Sequence, residues 1–294
     1  MPIKRSAGKV TFDYLNMTIL LAVSLLCLFP YIHILAVSLS SSAAVAEGKV
    51  SFWPADFTIN SYSFVVSGSQ FMKAFGISVQ RVLLGVVIYM AVTAFTAYPL
   101  SKEDRRFRSR TVYVWFFVVT MFVSGGLIPT FLVVRSTGLI NSMWALILPG
   151  AVQIFNIVIL LNFFRNLPKE LEECAFLDGG GHLTYFLRIA LPLSVPSLMT
   201  LTLFTIVYHW NAWFDGLIYI NRPDHYPLQT YIQMNVIEPG RRVRDITDLD
   251  VLKTVSQSTL RAAEVLVTSI PVLLAYPFIQ KYFIAGITLG SVKE

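Results

Sequence analysis

The chain has 294 residues, 55% of them hydrophobic and only 14% charged, with a mean hydropathy of +0.64. A soluble domain carries about 25% charged residues, so this composition excludes an ordinary water-soluble globule. The net charge of +6 does not point to nucleic acid, because the basic residues gather at the edges of apolar runs rather than along one aromatic-interleaved face; positive loops at a cytoplasmic membrane surface account for it.

The apolar runs exceed the ~18 residues that a spanning helix needs, which makes the chain an all-α integral membrane protein. Residues 1–13 form a polar cytoplasmic tail with Lys4, Arg5 and Lys9, followed by a first spanning segment at 14–39. Ala44-Val45-Ala46 has the small-residue pattern of a signal-peptidase site. The preceding apolar run is far longer than the roughly 7–15 residues of a signal core, so a retained first helix is expected. Residues 40–70 are Ser-rich, with Trp53-Pro54 and Phe57 suiting an interfacial stretch on the far side.

The second segment, 71–100, is interrupted by Lys73 and Arg81 near its outer end. A charge there is costly, so Arg81 is either packed against a neighbouring helix, snorkelling to the interface or in contact with substrate. The loop 101–110 holds Lys102, Arg105, Arg106, Arg108 and Arg110. Short loops rich in Lys and Arg stay in the cytoplasm, in agreement with the basic N-terminal tail two segments earlier.

A third segment at 111–134 carries Gly125-Gly126 and Pro129, and after a tight turn at 135–141 a fourth occupies 142–164. The fourth contains Pro149-Gly150, Gln153, Asn156 and Asn162; Pro and Gly in a spanning helix often mark a bend beside a cavity. Alternation then places 166–192 in the cytoplasm. The fifth segment spans 192–220 and includes Tyr208-His209-Trp210-Asn211-Ala212-Trp213-Phe214-Asp215. A polar extracytoplasmic loop is expected at 221–261, with Arg241, Arg242, Arg244, Asp245, Asp248 and Asp250 in it. Its mixed charges suit a transient, wet protein interface. A sixth segment at 263–283 leads to a cytoplasmic tail at 286–294. The expected layout is therefore about six helices with both termini inside, and a transmembrane domain covering 14–285.

Chemistry is sparse. The sequence has no GxxxxGK[ST] phosphate loop, no HExxH and no nucleophile elbow, so no catalytic residue, metal site or cofactor is expected. Cys27 and Cys174 lie in different environments and form no CxxC pair. Asp215 is the one acid this reading places inside an apolar segment. A proton- or sodium-driven carrier would usually show several intramembrane acids, so self-energised transport is disfavoured.

The stretch 167–192 is the most polar and glycine-rich passage between two apolar segments. Pro168 near a helix start, with Glu170, Glu172 and Glu173 following, suits a short amphipathic helix. Asp178-Gly179-Gly180-Gly181 breaks it with angles that glycine adopts cheaply. A second helix resumes at His182, with Leu183, Phe186, Leu187 and Ala190 on one face, until Pro192 starts the next segment. Physics alone leaves open whether this is a docking element or an amphipathic linker.

Here the residues match a pattern. Glu173-Cys174-Ala175, three residues, Gly179, nine residues and Ile189-Ala190-Leu191-Pro192 resemble the EAA motif of ABC-importer permeases, E-A-A-x3-G-x9-I-x-L-P, with Cys174 in place of the first alanine. Trp210-Asn211 and the C-terminal Gly286-Ile287-Thr288-Leu289-Gly290-Ser291-Val292-Lys293 are similar to the carbohydrate-uptake branch, particularly permeases for oligosaccharides or polysaccharide fragments. The resemblance implies a multi-pass subunit of a bacterial inner membrane, a second and usually non-identical permease, a cytoplasmic ATPase dimer and an extracytoplasmic solute-binding protein. It also implies a coupling set of Glu172, Glu173, Ala175, Asp178, Gly179, Ile189, Leu191 and Pro192, with Glu173 as the anchor, Gly179 as the turn and the last three as the fixed exit. Gln153, Asn156, Trp210, Asn211, Trp213 and Asp215 are the expected sugar-path candidates, because aromatic faces and amides suit sugars. For the tryptophans an interfacial belt, and for the amides helix–helix hydrogen bonding, stand as alternatives. An ion-coupled carrier and a non-transporting scaffold are the competing functions.

Overall fold

The computed structural model describes residues 7–103, 107–237 and 255–291. Among them the regular secondary structure is helical, apart from an isolated bridge between Ser40 and Phe57. In chain order the helices are α1 (Ala7–Ser38), α2 (Ser42–Ala46), α3 (Asn60–Ser67), α4 (Ser69–Ser101), α5 (Arg110–Phe122), α6 (Leu127–Ser136), α7 (Met143–Ile147), α8 (Ile154–Arg165) and α9 (Lys169–Leu177). They continue with α10 (His182–Tyr185), a π turn Phe186–Ala190, α11 (Leu191–Leu193), α12 (Val195–Asn211), α13 (Phe214–Tyr219), α14 (Leu228–Ile237) and α15 (Gln257–Ser291).

Two of these are long and apolar enough by themselves to cross a membrane, over Thr11–Ser38 and Ser69–Ser101; three bent pairs raise the number to as many as five among the described residues. The segment expected as a straight third span is broken. Val123 turns extended, Gly126 takes φ 82°, and α5 and α6 meet at 116°. Pro149-Gly150 sits in a 3-10 turn, and the flanking helices bend by 53°. The fifth segment bends by 77° at Ser194 and breaks again at Ala212-Trp213. The loop expected at 221–261 is shorter at both ends, since α14 and the start of α15 occupy part of it. Its charged centre, Arg241 to Asp250, and Arg105 and Arg106 of the basic loop lie outside the described residues. The sixth segment is longer than expected: α15 continues through Pro271 and Pro277 as far as Ser291. The expected C-terminal tail is therefore largely helix. Glu264, near the start of that segment, is 2% exposed, so Asp215 is not the one acid inside the expected apolar segments.

The chain divides into two compact units, residues 1–69 with 238–269 and residues 70–237 with 270–294. In the first, α1 leaves almost all of its apolar window uncovered, while the stretch after it is tied back by Thr58 N–H donating to Leu39 O at 3.0 Å and by Ser38 and Tyr62 hydroxyls 2.8 Å apart. In the second, the core joins Ala94, Ala97 and Leu100 of α4 to Ile157, Leu160 and Phe164 of α8 and to Leu201 of α12. Ala175, Tyr185, Phe186 and Ala190 belong to the same core, so the polar stretch 167–192 is seated on it.

Candidate coupling element and buried polar cluster

The 167–192 stretch folds as two arms around a turn. Pro168 holds the N-cap position of α9 with φ −55°, and Glu170 and Glu172 lie in the first turn, where they favour the positive end of the helix dipole. At the other end Gly179 takes φ 78°. Its N–H donates to Phe176 O at 3.1 Å, and Gly180 N–H donates to Ala175 O at 2.8 Å. These are the two bonds of a Schellman cap, which needs a left-handed residue at that place. A Cβ on Gly180 would lie 2.7 Å from Ala175 O, so the second glycine is required sterically, although the motif marks only the first.

The second arm buries Tyr185, Phe186, Ala190 and Ser194, whereas Leu183 and Leu187 are 62% and 48% exposed. The expected stripe 183/186/187/190 is thus corrected. The π turn inserts a residue into one helical turn and sets burial at a spacing of four, through Phe186, Ala190 and Ser194.

The adjacent glutamates differ. Glu173 is exposed with Cys174, Asp178 and Gly179, and Leu177 beside them is 87% exposed. Glu172 is 13% exposed and pairs with Lys102 Nζ at 2.9 Å. Lys102, itself 13% exposed, also lies over the rings of Tyr98 and Tyr185 at 4.4 and 4.8 Å. Tyr98 donates its hydroxyl to His182 O at 3.2 Å. A cavity of about 490 Å³ lies alongside, lined in part by Arg110, Arg165, Lys169 and Glu173. Ala175 is buried, Ile189 and Leu191 are half-buried, and Pro192 is exposed.

A second constellation lies on α4, α7, α12 and α13. Arg81 is fully buried and its guanidinium meets both carboxylate oxygens of Asp215, one at 3.1 Å. It also donates to Leu146 O and Ala212 O, each at 3.3 Å, and to His209 Nδ1 at 3.4 Å. Those carbonyls are freed where helices break. Ala212 turns extended as α12 ends. Leu146 is followed by the 3-10 turn Leu148–Gly150, in which Ala151 N–H bonds Leu148 O at 3.1 Å. At the same break Ile147 O accepts the Tyr89 hydroxyl at 3.0 Å. Backbone carbonyls freed at breaks in apolar helices need partners, and Arg81 supplies them for Leu146 O and Ala212 O here.

His209 is buried, its ring 4.4 Å from that of Tyr89. Because Nδ1 accepts from Arg81, the proton is on Nε2, which has no hydrogen-bond partner among the described residues and lies over Gly85. A Cβ at Gly85 would overlap the imidazole. Gly85→Val is therefore expected to destabilise the chain by about 1–3 kcal/mol through overpacking, read as a lower Tm of the detergent-purified protein. His209→Ala in the same chain should recover part of the loss, and an unchanged Tm in Gly85→Val would contradict the packing.

The sugar-path candidates fall into separate places. Asp215 is bound to Arg81, Trp210 is 4% exposed and packs edge-on to Phe75 at 5.7 Å, and Asn156 is 2% exposed and donates to Gln153 Oε1 at 3.0 Å. Asn211 and Trp213 are exposed at the break between α12 and α13. The sequence signal for the cluster was a cation inside one apolar segment, Arg81, and an acid inside another, Asp215; pairing the two would have found it.

A family model described as "Binding-protein-dependent transport system inner membrane component" matches residues 75–288. The chain is 39% identical over 282 residues to the Bacillus subtilis polygalacturonan/rhamnogalacturonan transport system permease protein YtcP, covering 96% of this chain and 98% of that one. It is 37% identical to the Bacillus subtilis protein LplC, covering 98% and 96%. Among solved structures, it is similar to a chain of a bacterial ABC transporter involved in the import of the acidic polysaccharide alginate, with TM-score 0.87, 29% identity, and 96% and 100% coverage.

Proposed function

The chain belongs to the family of binding-protein-dependent transport system inner membrane components, and from that premise we propose that it forms half of the path by which an oligosaccharide or polysaccharide fragment enters the cell. As a permease subunit it transports and is not an enzyme; ATP is hydrolysed on a separate subunit. The carbohydrate cargo is supported by the relatives, whose names give polygalacturonan and alginate transport. The partners proposed are a second permease, a cytoplasmic ATPase dimer and an extracytoplasmic binding protein.

The observation that carries the reading is the two-armed element at 167–192, its tip exposed at Glu173, Cys174 and Leu177 to Gly179 and its base set in the core. In this reading residues 166–192 face the cytoplasm, Glu173 anchors the tip to the ATPase, Gly179 makes the turn, and Ile189, Leu191 and Pro192 hold the exit. ATP binding favours one conformation of the assembly and hydrolysis resets it, a population shift driven by differential binding. At the far end Asn211 and Trp213, exposed at the α12–α13 break, are the candidates for the sugar itself, by stacking and hydrogen bonding.

The test is ATP hydrolysis by the purified permease pair with its ATPase in liposomes, with oligouronides and with or without the binding protein. Hydrolysis stimulated by loaded binding protein, together with sugar uptake, is the expected result. Uptake under an ion gradient without the ATPase would instead identify a secondary carrier, and no solute-dependent stimulation a scaffold. In the same assay, Trp213→Ala and Asn211→Ala with unchanged uptake kinetics would remove these two from the path.

A further inference from the structure

We propose that Lys102 is a positioning residue for energy coupling, fastening the Glu172 arm of the 167–192 element to the end of α4 so that movement of the element is passed along that helix. The proposal rests on reading 167–192 as the ATPase-coupling element. Lys102 lies outside that element and outside its motif, yet it supplies a shielded charged contact between the element and the end of α4.

The geometry has three parts. First, the ion pair between Lys102 and Glu172 is shielded, both side chains being 13% exposed, so it escapes the solvent screening that makes exposed pairs nearly worthless. The nearby Lys169–Glu103 pair is different, at 75% and 63% exposed, and is expected to add little. Secondly, the ammonium lies over Tyr98, from α4, and Tyr185, from the second arm; partly desolvated cation–π contacts of this kind hold a cation in place. Tyr98 also donates to His182 O and packs on Phe186 at 4.7 Å. One cation and one phenol thus tie the end of α4 to both arms. Thirdly, α4 is a single helix from Ser69 to Ser101, and its other half carries Arg81. From Arg81 to Lys102 is roughly 30 Å at 1.5 Å per residue. Arg81 holds Leu146 O, Ala212 O and Asp215, at the breaks beside Asn211 and Trp213. A helix clamped at both ends is one kind of rigid connection through which distant sites are coupled.

Intermediate position does not itself prove coupling, so the test reads transport against hydrolysis in the full reconstituted assembly. Lys102→Met is expected to lower sugar transported per ATP hydrolysed by about tenfold, and Lys102→Arg, which keeps the charge and stacks on the rings, to restore it to within about twofold. Adding Glu172→Gln to Lys102→Met should cost little more than the single change, because both remove the same interaction. Nitroxide labels at the exposed Leu177 and Val87 give a second readout: the distance distribution between them broadens in Lys102→Met. That readout stands even if the variant transports too poorly to measure.

An unchanged transport-to-hydrolysis ratio in Lys102→Met would overturn the proposal, as would fully multiplicative losses in the double variant or an unaltered distance distribution. Gly179→Val in parallel separates the two levels. If it is inactive while Lys102→Met is normal, the clamp fails and the coupling element stands; if it transports normally, the coupling element itself fails.

Discussion

Asp215→Ala is expected to destabilise the protein by about 3–5 kcal/mol, because removing one partner of a buried ion pair strands the other charge. The Arg81 side chain is 0% exposed and that of Asp215 25%, so water reaches the stranded guanidinium only through the space that Asp215 vacates. The measurements are membrane abundance and the Tm of the detergent-purified chain, with Asp215→Asn losing less because the amide oxygen still accepts from Arg81. The double variant Arg81→Met/Asp215→Leu discriminates further. Replacing a buried ion pair by apolar residues is often neutral, but here Leu146 O and Ala212 O also lose their donor. An unsatisfied buried acceptor costs about 1–3 kcal/mol, so the double variant should improve on Asp215→Ala and still fall short of the parent. Wild-type stability in Asp215→Ala would mean that the pair does not hold these helix breaks.

Gly179→Val and Gly180→Val should each abolish sugar uptake while the chain still inserts in the membrane. The causes differ. Gly179 has open space around a built Cβ, but its φ is 78°; the left-handed region costs an L-residue about 1–2 kcal/mol, and more when it is β-branched. Gly180 has an ordinary φ, but its Cβ would strike Ala175 O, a backbone atom that can move only by opening the cap. Either way the second arm leaves its angle to the first, and a shift of 1–2 kcal/mol is roughly a tenfold change in the population of the seated form. Gly181→Ala is the control: nothing lies within 4 Å and its φ is −93°, so it should change stability by less than about 0.5 kcal/mol and transport normally. Uptake of labelled sugar, quantified beside membrane fractions and ATPase co-purification, checks all three. Normal uptake by Gly179→Val would remove the coupling role.

The turn at 178–181 could be placed from sequence because it depends on local backbone energetics: a helix start at Pro168, acids in the first turn, then glycines. The first two apolar segments, found as helices over Thr11–Ser38 and Ser69–Ser101, could be placed for a similar reason, since the membrane requires runs of a fixed length whatever they pack against. The breaks inside those segments were only partly legible. Pro149-Gly150 signalled a bend, whereas the 116° angle between α5 and α6 follows from Val123 turning extended and Gly126 turning left-handed, which no apolar count detects. On the second arm Phe186 and Ala190 of the expected stripe are buried whereas Leu183 and Leu187 are exposed, because a π turn changes the period that such a stripe assumes.

By itself, then, the sequence determined membrane residence, the polar two-armed element with its turn, and the lack of a phosphate loop, all properties of composition or near neighbours in the chain. Tertiary structure decided that Glu172 belongs to Lys102 while Glu173 remains exposed, and that Arg81 belongs to Asp215. Lys102 and Glu172 are 70 positions apart, Arg81 and Asp215 134. A charge in an apolar segment announces that it needs a partner; which one it finds is fixed only when the helices pack.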